Sequence, residues 1–450
     1  MYKYLPFYRQ NIRLAIPIIL SQAGQIVVQQ MDILMVGYVS TVQLAASAFA
    51  NSIFVIGLVM LMGFSYGLTP AIGHQISNKS TINIDKMLSS SFFLNITFAI
   101  IISIILYFTS YLFKFMGQED DVIKYATPYF YTLILSLLPF VVFMTNKQFA
   151  EGIGNTKYAM YVTIISNLIN IGLNYILIFG KFGAPALGLF GAGIATFIAR
   201  LFLALSFLLI FKYNSLFKTY FKNIKLAYIN KVSIKTLFSI GLPISVQMLL
   251  EVSAFAISAI MAGWLGAVSL AANQIAIGLA SISFMIVTGI GSATTIRIAH
   301  QYSHKDLPHL IMAAKASIHI VLAFMGMAAI SFIVFRNYFP KIYTHDPHLI
   351  ALTAPLLIIV GLFQLFDGLQ VIMLSILRGL GDVKHAMVYA FIAYIVINLP
   401  LGYYLGFKLN MGLTGLWIAF IIGLGSAAIL FLYRFRTIYS KLKIKLKTTA

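Results

Sequence analysis

Cysteine is absent from this chain, which excludes disulfide bonds, thiolate metal sites and cysteine nucleophiles. Charge is also scarce, because only 9% of the 450 residues are Asp, Glu, Lys or Arg, whereas a soluble domain has roughly 25%. Hydrophobic residues make up 60% of the chain. Apolar runs of the roughly 20 residues that a helix needs to cross a bilayer recur along its whole length. These properties predict an all-α integral membrane protein.

Twelve apolar runs, separated by short polar segments, predict about twelve transmembrane helices. They cover residues 12–38, 44–75, 87–113, 125–150, 157–180, 187–212, 236–263, 270–300, 310–335, 350–377, 384–407 and 412–436. The longest polar connection lies between the sixth and seventh runs and is rich in lysine. We interpret it as a cytoplasmic linker.

Acidic residues are few: eleven stand against 31 Lys and Arg, which gives a formal net charge of +20. A large positive charge is also typical of nucleic-acid-binding proteins. The positions of the Lys and Arg residues along the chain therefore decide between a membrane protein and a nucleic-acid binder. With the N-terminus inside the cell, 24 bases fall on the cytoplasmic side, six on the other side, and Arg200 lies within a helix. Positive loops stay in the cytoplasm. We therefore expect both termini in the cytoplasm and no nucleic-acid partner.

The two halves of the sequence repeat each other. A shift of 226 residues aligns Pro17 with Pro243 and Thr69 with Thr295, and a shift of 227 aligns Gly152 with Gly379. A six-helix unit is therefore duplicated. Because six is even, both copies enter the membrane in the same direction, which predicts two lobes related by a pseudo-twofold axis along the membrane normal.

This duplication predicts three regions of the chain. They are an N-lobe at 1–212, a cytoplasmic linker at 213–235 and a C-lobe with a basic tail at 236–450. Rocking of two such lobes around a central cavity would expose that cavity to each side in turn, which is the basis of secondary transport.

Three carboxylates, Asp32, Glu251 and Asp367, lie inside predicted spans. An ionisable group at membrane depth costs at least ~2.5 kcal/mol, so it is usually functional. A carboxyl group in apolar surroundings can take up a proton near neutral pH or bind a hard cation. The alternative is that each acid only bonds a neighbouring helix.

Neutral oxygen ligands accompany one of these acids. Asn170 and Asn174 are four residues apart and share a helix face, while Thr196 lies in the next span. Together with Asp32 they could hold a sodium ion. The alternative is that these amides and hydroxyls only bridge neighbouring helices.

Soluble-enzyme motifs are missing from the sequence. It contains no GxxxxGK[ST] loop for ATP, no HExxH and no GxSxG. ATP-driven pumping by this chain alone is therefore excluded, and we expect no enzyme activity.

A family resemblance emerges from motifs that occur in order in both halves. They are LAIPIILSQ, MDILMVG, EGIGNTK, NIGLNYILIFG, GLPISVQMLLE, FDGLQ and LRGLGD. With the three acids at matching positions, the chain resembles the multidrug and toxic compound extrusion (MATE) transporters of the NorM-like branch.

The resemblance implies an antiporter of the inner membrane that exports cationic, amphipathic drugs in exchange for Na⁺ or H⁺. The coupling ion would be the only cofactor, membrane lipids would surround the protein, and no obligatory protein partner is expected. Glu251 and Asp367 match the cation and substrate partners of this branch. Asp32, Asn170, Asn174 and Thr196 match its second cation site. An amide at position 174 leaves the choice of ion open.

Two other functions remain as alternatives. A lipid-linked oligosaccharide flippase of the same wider superfamily would need cationic residues to hold a diphosphate, whereas here the intramembrane acids outnumber the bases and Arg200 stands alone. A membrane enzyme or an ion channel would need a catalytic cluster or a filter loop.

Overall fold

A computed structural model describes residues 4–76, 82–222 and 224–448. Almost all of these residues are helical, and no β-strand occurs among them. Twelve helical segments in the described ranges are long and apolar enough to cross a membrane. The prediction of an all-α membrane protein with twelve spans is therefore confirmed.

The helices have the following bounds. They are α1 (Leu5–Gly37), α2 (Thr41–Tyr66), α3 (Leu68–Gly73), α4 (Ile82–Ser110), α5 (Asp120–Leu135), α6 (Leu137–Gly152), α7 (Lys157–Phe179), α8 (Gly188–Tyr213), α9 (Ser215–Lys222), α10 (Lys231–Trp264), α11 (Ala267–Ser303), α12 (Leu307–Val334), α13 (Pro347–Gly379), α14 (Val383–Phe391), α15 (Leu399–Tyr403) and α16 (Gly412–Thr448). Short 3₁₀ turns cover Phe113–Phe115, Leu226–Tyr228 and Phe339–Ile342. The eleventh span also contains two π-helical segments, Ile392–Asn398 and Tyr404–Lys408.

The seventh span begins earlier than hydropathy indicates, at Lys231 rather than at residue 236. The side chain of Asn230 accepts hydrogen bonds from the backbone N–H groups of Val232 at 2.6 Å and Ser233 at 3.3 Å. This cap satisfies two N–H groups that a helix N-terminus leaves unpaired. The first turn of α10 is therefore helical, although its polar residues fall outside the apolar run that predicts the span.

The described residues group by contacts into two compact units. One is Leu20–Ser245, and the other combines Met1–Ile19 with Val246–Ala450. Both α1 and α10 therefore contribute residues to each unit, and the division falls two residues after Pro17 and two after Pro243. The division into 1–212, 213–235 and 236–450 follows the duplicated sequence and stays a prediction. Its residues 1–3, 77–81, 223, 449 and 450 lie outside the described residues.

The duplication is visible in matching contacts inside the separate units. In the first unit, Thr69 Oγ1 donates to the backbone carbonyl of Gln148 at 3.0 Å. In the second, Thr295 Oγ1 donates to the backbone carbonyl of Ser375 at 3.0 Å. These pairs are related by the shifts of 226 and 227 residues found in the sequence, so the aligned residues make the same contact in both units.

Two glycines mark the close helix approach beside these bonds. A Cβ atom at Gly152 would lie 2.9 Å from the Cβ of Ile72, and one at Gly379 would lie 2.7 Å from the Cβ of Ile298. Such distances are too short for non-bonded carbon atoms, so each helix pair can meet only where a side chain is missing. The aligned glycines are thus explained by packing.

The second unit is built around α13, which packs against α11, α12 and α16. Trp417 is fully buried there, with its ring centroid 5.1 Å from that of Phe363, and its indole N–H donates to Asn273 at 3.1 Å. Because three helices cover α13, its polar side chains face protein rather than lipid. This position brings Asp367 into the interior of the unit.

Candidate functional site

Three of the four residues predicted for the first site, which we call the N-site, meet in the unit Leu20–Ser245. Asn170 and Asn174 are buried on α7, and Asp32 is half-buried on α1. The side-chain nitrogen of Asn174 donates to a carboxylate oxygen of Asp32 and, at 3.0 Å, to the side-chain oxygen of Asn170. The spacing of four residues on α7 places both amides on the face that meets α1.

A buried oxygen of the N-site has no hydrogen-bond partner among the described residues. It is Oδ1 of Asn174, which is fully buried. Rotation of this amide by half a turn would direct Oδ1 toward the oxygens of Asp32 and Asn170 in place of the N–H group. The arrangement can therefore offer three oxygen atoms to a hard cation, the ligand type that such ions prefer.

Thr196 does not join this hydrogen-bonded group. It is half-buried on α8, and within the described ranges no hydrogen bond connects it to the other three residues of the N-site. Its part in ion binding stays a prediction, as do the roles of the residues that do meet.

Arg200, one turn after Thr196, lies near the N-site. Its guanidinium donates to Ser136 at 2.8 Å and lies 5.4 Å and 4.9 Å from the ring centroids of Phe54 and Phe140. It is near enough to Asp32 for their charges to interact. Arg200 is thus a counter-charge of the acid within the same unit.

Tyr129 is a further N-site neighbour that sequence reasoning missed. It is buried, accepts a hydrogen bond from Asn51 at 3.2 Å and lies close to both Asp32 and Arg200. Tyrosine is common in the spans, so no signal in the sequence could have singled it out. Its position depends on the packing of α5 against α2.

The second site, which we call the C-site, joins α10 and α13 through Glu251 and Asp367. Asp367 is 2% exposed and lies close enough to Glu251 for their charges to interact. The side-chain nitrogen of Gln247 donates to Glu251 at 3.0 Å, and its oxygen accepts from the guanidinium of Arg378. The structure therefore brings the two predicted acids near each other and adds Gln247 and Arg378, which lie in the GLPISVQMLLE and LRGLGD motifs but were not predicted as site residues.

Tyr394 also approaches both acids of the C-site. It is buried within the π-helix Ile392–Asn398, and its hydroxyl accepts a hydrogen bond from the side-chain nitrogen of Gln370. π-helical turns are rare and frequent at functional sites. Gln370 belongs to the FDGLQ motif and could have been noted from sequence, whereas the hydropathy pattern does not reveal a π-helix.

Comparisons with known proteins agree with the sequence motifs. The MatE family model matches residues 17–176 and 243–404. The chain is 32% identical over 445 residues to the multidrug resistance protein MdtK of Yersinia pseudotuberculosis serotype O:1b (strain IP 31758), covering 97% of this chain and 96% of that protein. It is 31% identical over 434 residues to the probable multidrug resistance protein NorM of Rhizobium meliloti (strain 1021), covering 95% and 93%.

Solved structures show the same fold. The crystal structure of the eukaryotic MATE transporter AtDTX14 superposes with a TM-score of 0.88 at 20% sequence identity, covering 98% of both chains. A structure of the outward-facing conformation of a multidrug resistance MATE family transporter of the MOP superfamily superposes with a TM-score of 0.87 at 20% identity, covering 97% of both chains.

Proposed function

This chain belongs to the MatE family, and on that premise we propose that it exports small organic cations across the membrane in exchange for Na⁺ or H⁺. It is a multi-pass membrane protein with twelve candidate spans in the described ranges, and its family is one of transporters. The two relatives described above are named for multidrug resistance. Drugs that are cationic and amphipathic are therefore the proposed substrates.

The observation that carries this proposal is the pair of acids in the C-site. Glu251 and Asp367 lie within apolar spans and are close enough for their charges to interact, and a carboxylate there is costly unless a cation or a proton neutralises it. Two adjacent negative charges attract an organic cation and repel an anion. The same pair can also take up Na⁺ or H⁺, so a drug and a coupling ion can compete for it.

The N-site supplies a second place for the coupling ion. Asp32 and the oxygens of Asn170 and Asn174 would hold Na⁺, with Thr196 as a further oxygen ligand, and a proton could bind Asp32 alone. For antiport, the ion and the drug must favour different conformations or compete for one group. A ligand that binds two conformations with equal affinity does not change the equilibrium between them. No cofactor other than the coupling ion is proposed.

The proposed location is the inner membrane, with both termini in the cytoplasm. The support is the excess of Lys and Arg on one side of the predicted topology together with the bacterial relatives. Membrane lipids would then surround the apolar spans, with no obligatory protein partner.

The lipid-linked oligosaccharide flippase is not favoured. Its diphosphate would need a cluster of cationic groups, whereas Arg200 is bonded to Ser136 and lies beside Asp32. Arg378 is likewise engaged with Gln247, which bonds Glu251 of the C-site. Each of these bases therefore lies beside a carboxylate that repels a diphosphate.

Uptake into energised inverted vesicles, whose cytoplasmic face points outward, tests the proposal. A fluorescent organic cation is followed while Na⁺ and pH gradients are imposed separately, for the wild type and for Asp32→Asn, Glu251→Gln and Asp367→Asn. We expect gradient-dependent transport in the wild type and its loss in the variants at equal protein levels. Unaltered transport in all three variants would contradict the carboxylate mechanism.

A further inference from the structure

Arg378 and Glu251 are joined through a single amide. Arg378 lies in the last turn of α13 and donates from Nη2 to Oε1 of Gln247. Gln247 is 1% exposed and donates from Nε2 to Oε2 of Glu251 at 3.0 Å. Because residues four apart share a helix face, α10 presents Gln247 and Glu251 together to α13. The amide is thus aligned with its oxygen toward the positive group and its nitrogen toward the negative one.

The charges around the C-site do not cancel. With both acids ionised, Glu251 and Asp367 carry two negative charges and Arg378 carries one positive charge, and the charge of Arg378 acts on Glu251. In that ionisation state, these three groups of the described chain leave one net negative charge, which matches one monovalent cation. Without Arg378, the site would hold two uncompensated charges and would bind cations more tightly.

Comparison of the two halves indicates that the scaffold does not require this arginine. The shift of 227 residues places Glu151 of α6 at the position of Arg378. Glu151 is buried and lies 3.8 Å from the ammonium group of Lys147 on the same helix. The same position of the repeat therefore carries opposite charges in the two halves. The positive charge at 378 accompanies the acids of the C-site, which have no counterpart in the first half.

We propose that Arg378 is a positioning residue that acts through Gln247 as the resident counter-charge of Glu251 and limits the affinity of the C-site for cations. This inference rests on the proposed function and adds a reason why a bound cation leaves. A transport site must bind its ion strongly enough to load it and weakly enough to release it. The fixed guanidinium lowers affinity without occupying the place of the cation.

The sign of the effect separates this role from a merely structural one. If Arg378 only joined α13 to α10, its removal would loosen the site and weaken cation binding. As a counter-charge, its removal tightens binding. The test measures equilibrium binding of tetraphenylphosphonium to the purified full-length protein for Arg378→Gln, Arg378→Lys and Gln247→Met.

We expect Arg378→Gln to lower the Kd for tetraphenylphosphonium by about tenfold and to slow transport turnover. A change of this size is typical of the interaction between two charges at the effective dielectric constant of a protein. Arg378→Lys keeps the charge and should stay near the wild-type Kd. Gln247→Met cuts the connection while keeping the charge, and should lower the Kd less. The matched control is Arg434→Gln, which removes an arginine that pairs with Asp382 at 2.5 Å instead, and should leave the Kd unchanged.

An unchanged or higher Kd in folded Arg378→Gln overturns the inference. If that variant does not fold, an unchanged or higher Kd in Gln247→Met overturns it. Failure of the proposed function has a different signature: the wild type would not bind tetraphenylphosphonium, or Glu251→Gln would bind it unchanged. Either result would overturn the proposed function and this inference together. If binding by the wild type depends on Glu251 but Arg378→Gln leaves the Kd unchanged, only this inference is overturned.

Discussion

Asn174 donates a hydrogen bond to Asp32 although the two residues are 142 positions apart in the sequence. The bond joins α7 to α1 and orients the carboxylate that lies within the first span. The same amide nitrogen also donates to Asn170. The amide of residue 174 therefore decides which atoms the N-site presents to an ion.

Substitution of Asn174 tests this role. Asn174→Leu removes the donor to Asp32 and the oxygen that has no partner, so we expect the Na⁺ dependence of drug efflux to disappear. Asn174→Asp places a second carboxylate beside Asp32 and should lower the Na⁺ concentration for half-maximal efflux. Asn167→Leu, on the same helix, is the control and should retain the wild-type Na⁺ response. An unchanged Na⁺ response in both Asn174 variants would remove this residue from the ion site.

Tyr394 should contribute to the stability of the C-site. In Tyr394→Phe the buried nitrogen of Gln370 loses the hydroxyl that accepts its hydrogen bond, which costs about 1–3 kcal/mol. The double variant Tyr394→Phe with Gln370→Met replaces both partners by apolar groups and should recover part of that loss. Thermal unfolding in detergent measures both. Equal destabilisation by the single and the double variant would show that the bond does not matter.

Arg200 separates the antiporter from the flippase. Arg200→Gln removes a positive charge near Asp32, so export of an organic cation should continue, with an altered dependence on the coupling ion. A diphosphate carrier would instead lose its transport in this variant. Arg200→Lys keeps the charge but lacks the planar group that lies over Phe140, and should transport organic cations with the ion dependence of the wild type. Complete loss of cation export in folded Arg200→Gln would contradict our proposal.

The paired glycines give a prediction about stability. Gly152→Ala and Gly379→Ala each place a methyl group against a neighbouring helix, and overpacking of this kind costs about 1–3 kcal/mol. Gly172→Ala is the control, since its added Cβ has no atom of another packed element within 4 Å in the described part of the chain and alanine favours a helix by about 1 kcal/mol relative to glycine. Retention of folded protein on heating in detergent should fall for the first two and hold for the third. Equal behaviour of all three would contradict the packing argument.

The sequence singles out the acidic residues of the candidate sites and the amides Asn170 and Asn174, but not their other neighbours, and the roles of all these residues stay predictions. Acids in apolar runs stand out, because few other ionisable residues lie there. Gln247, Tyr129 and Tyr394 do not stand out, since glutamines and tyrosines occur throughout the chain and their contacts depend on which helices pack together. Thr196 is the opposite case. The sequence predicts it as an N-site ligand, but within the described part of the chain no hydrogen bond joins it to Asp32, Asn170 or Asn174.

The sequence by itself determined the twelve spans, the duplication and the three intramembrane acids, because membrane insertion depends on local apolar length and charge. Only the tertiary structure decided which residues meet. The contacts of Asn174 with Asp32 and of Arg378 with Gln247 join helices that are distant in the chain. The π-helical turn that carries Tyr394 and the cap at Asn230 depend on backbone geometry. Hydropathy measures the solvent preference of a segment and contains no information about the neighbour against which that segment packs.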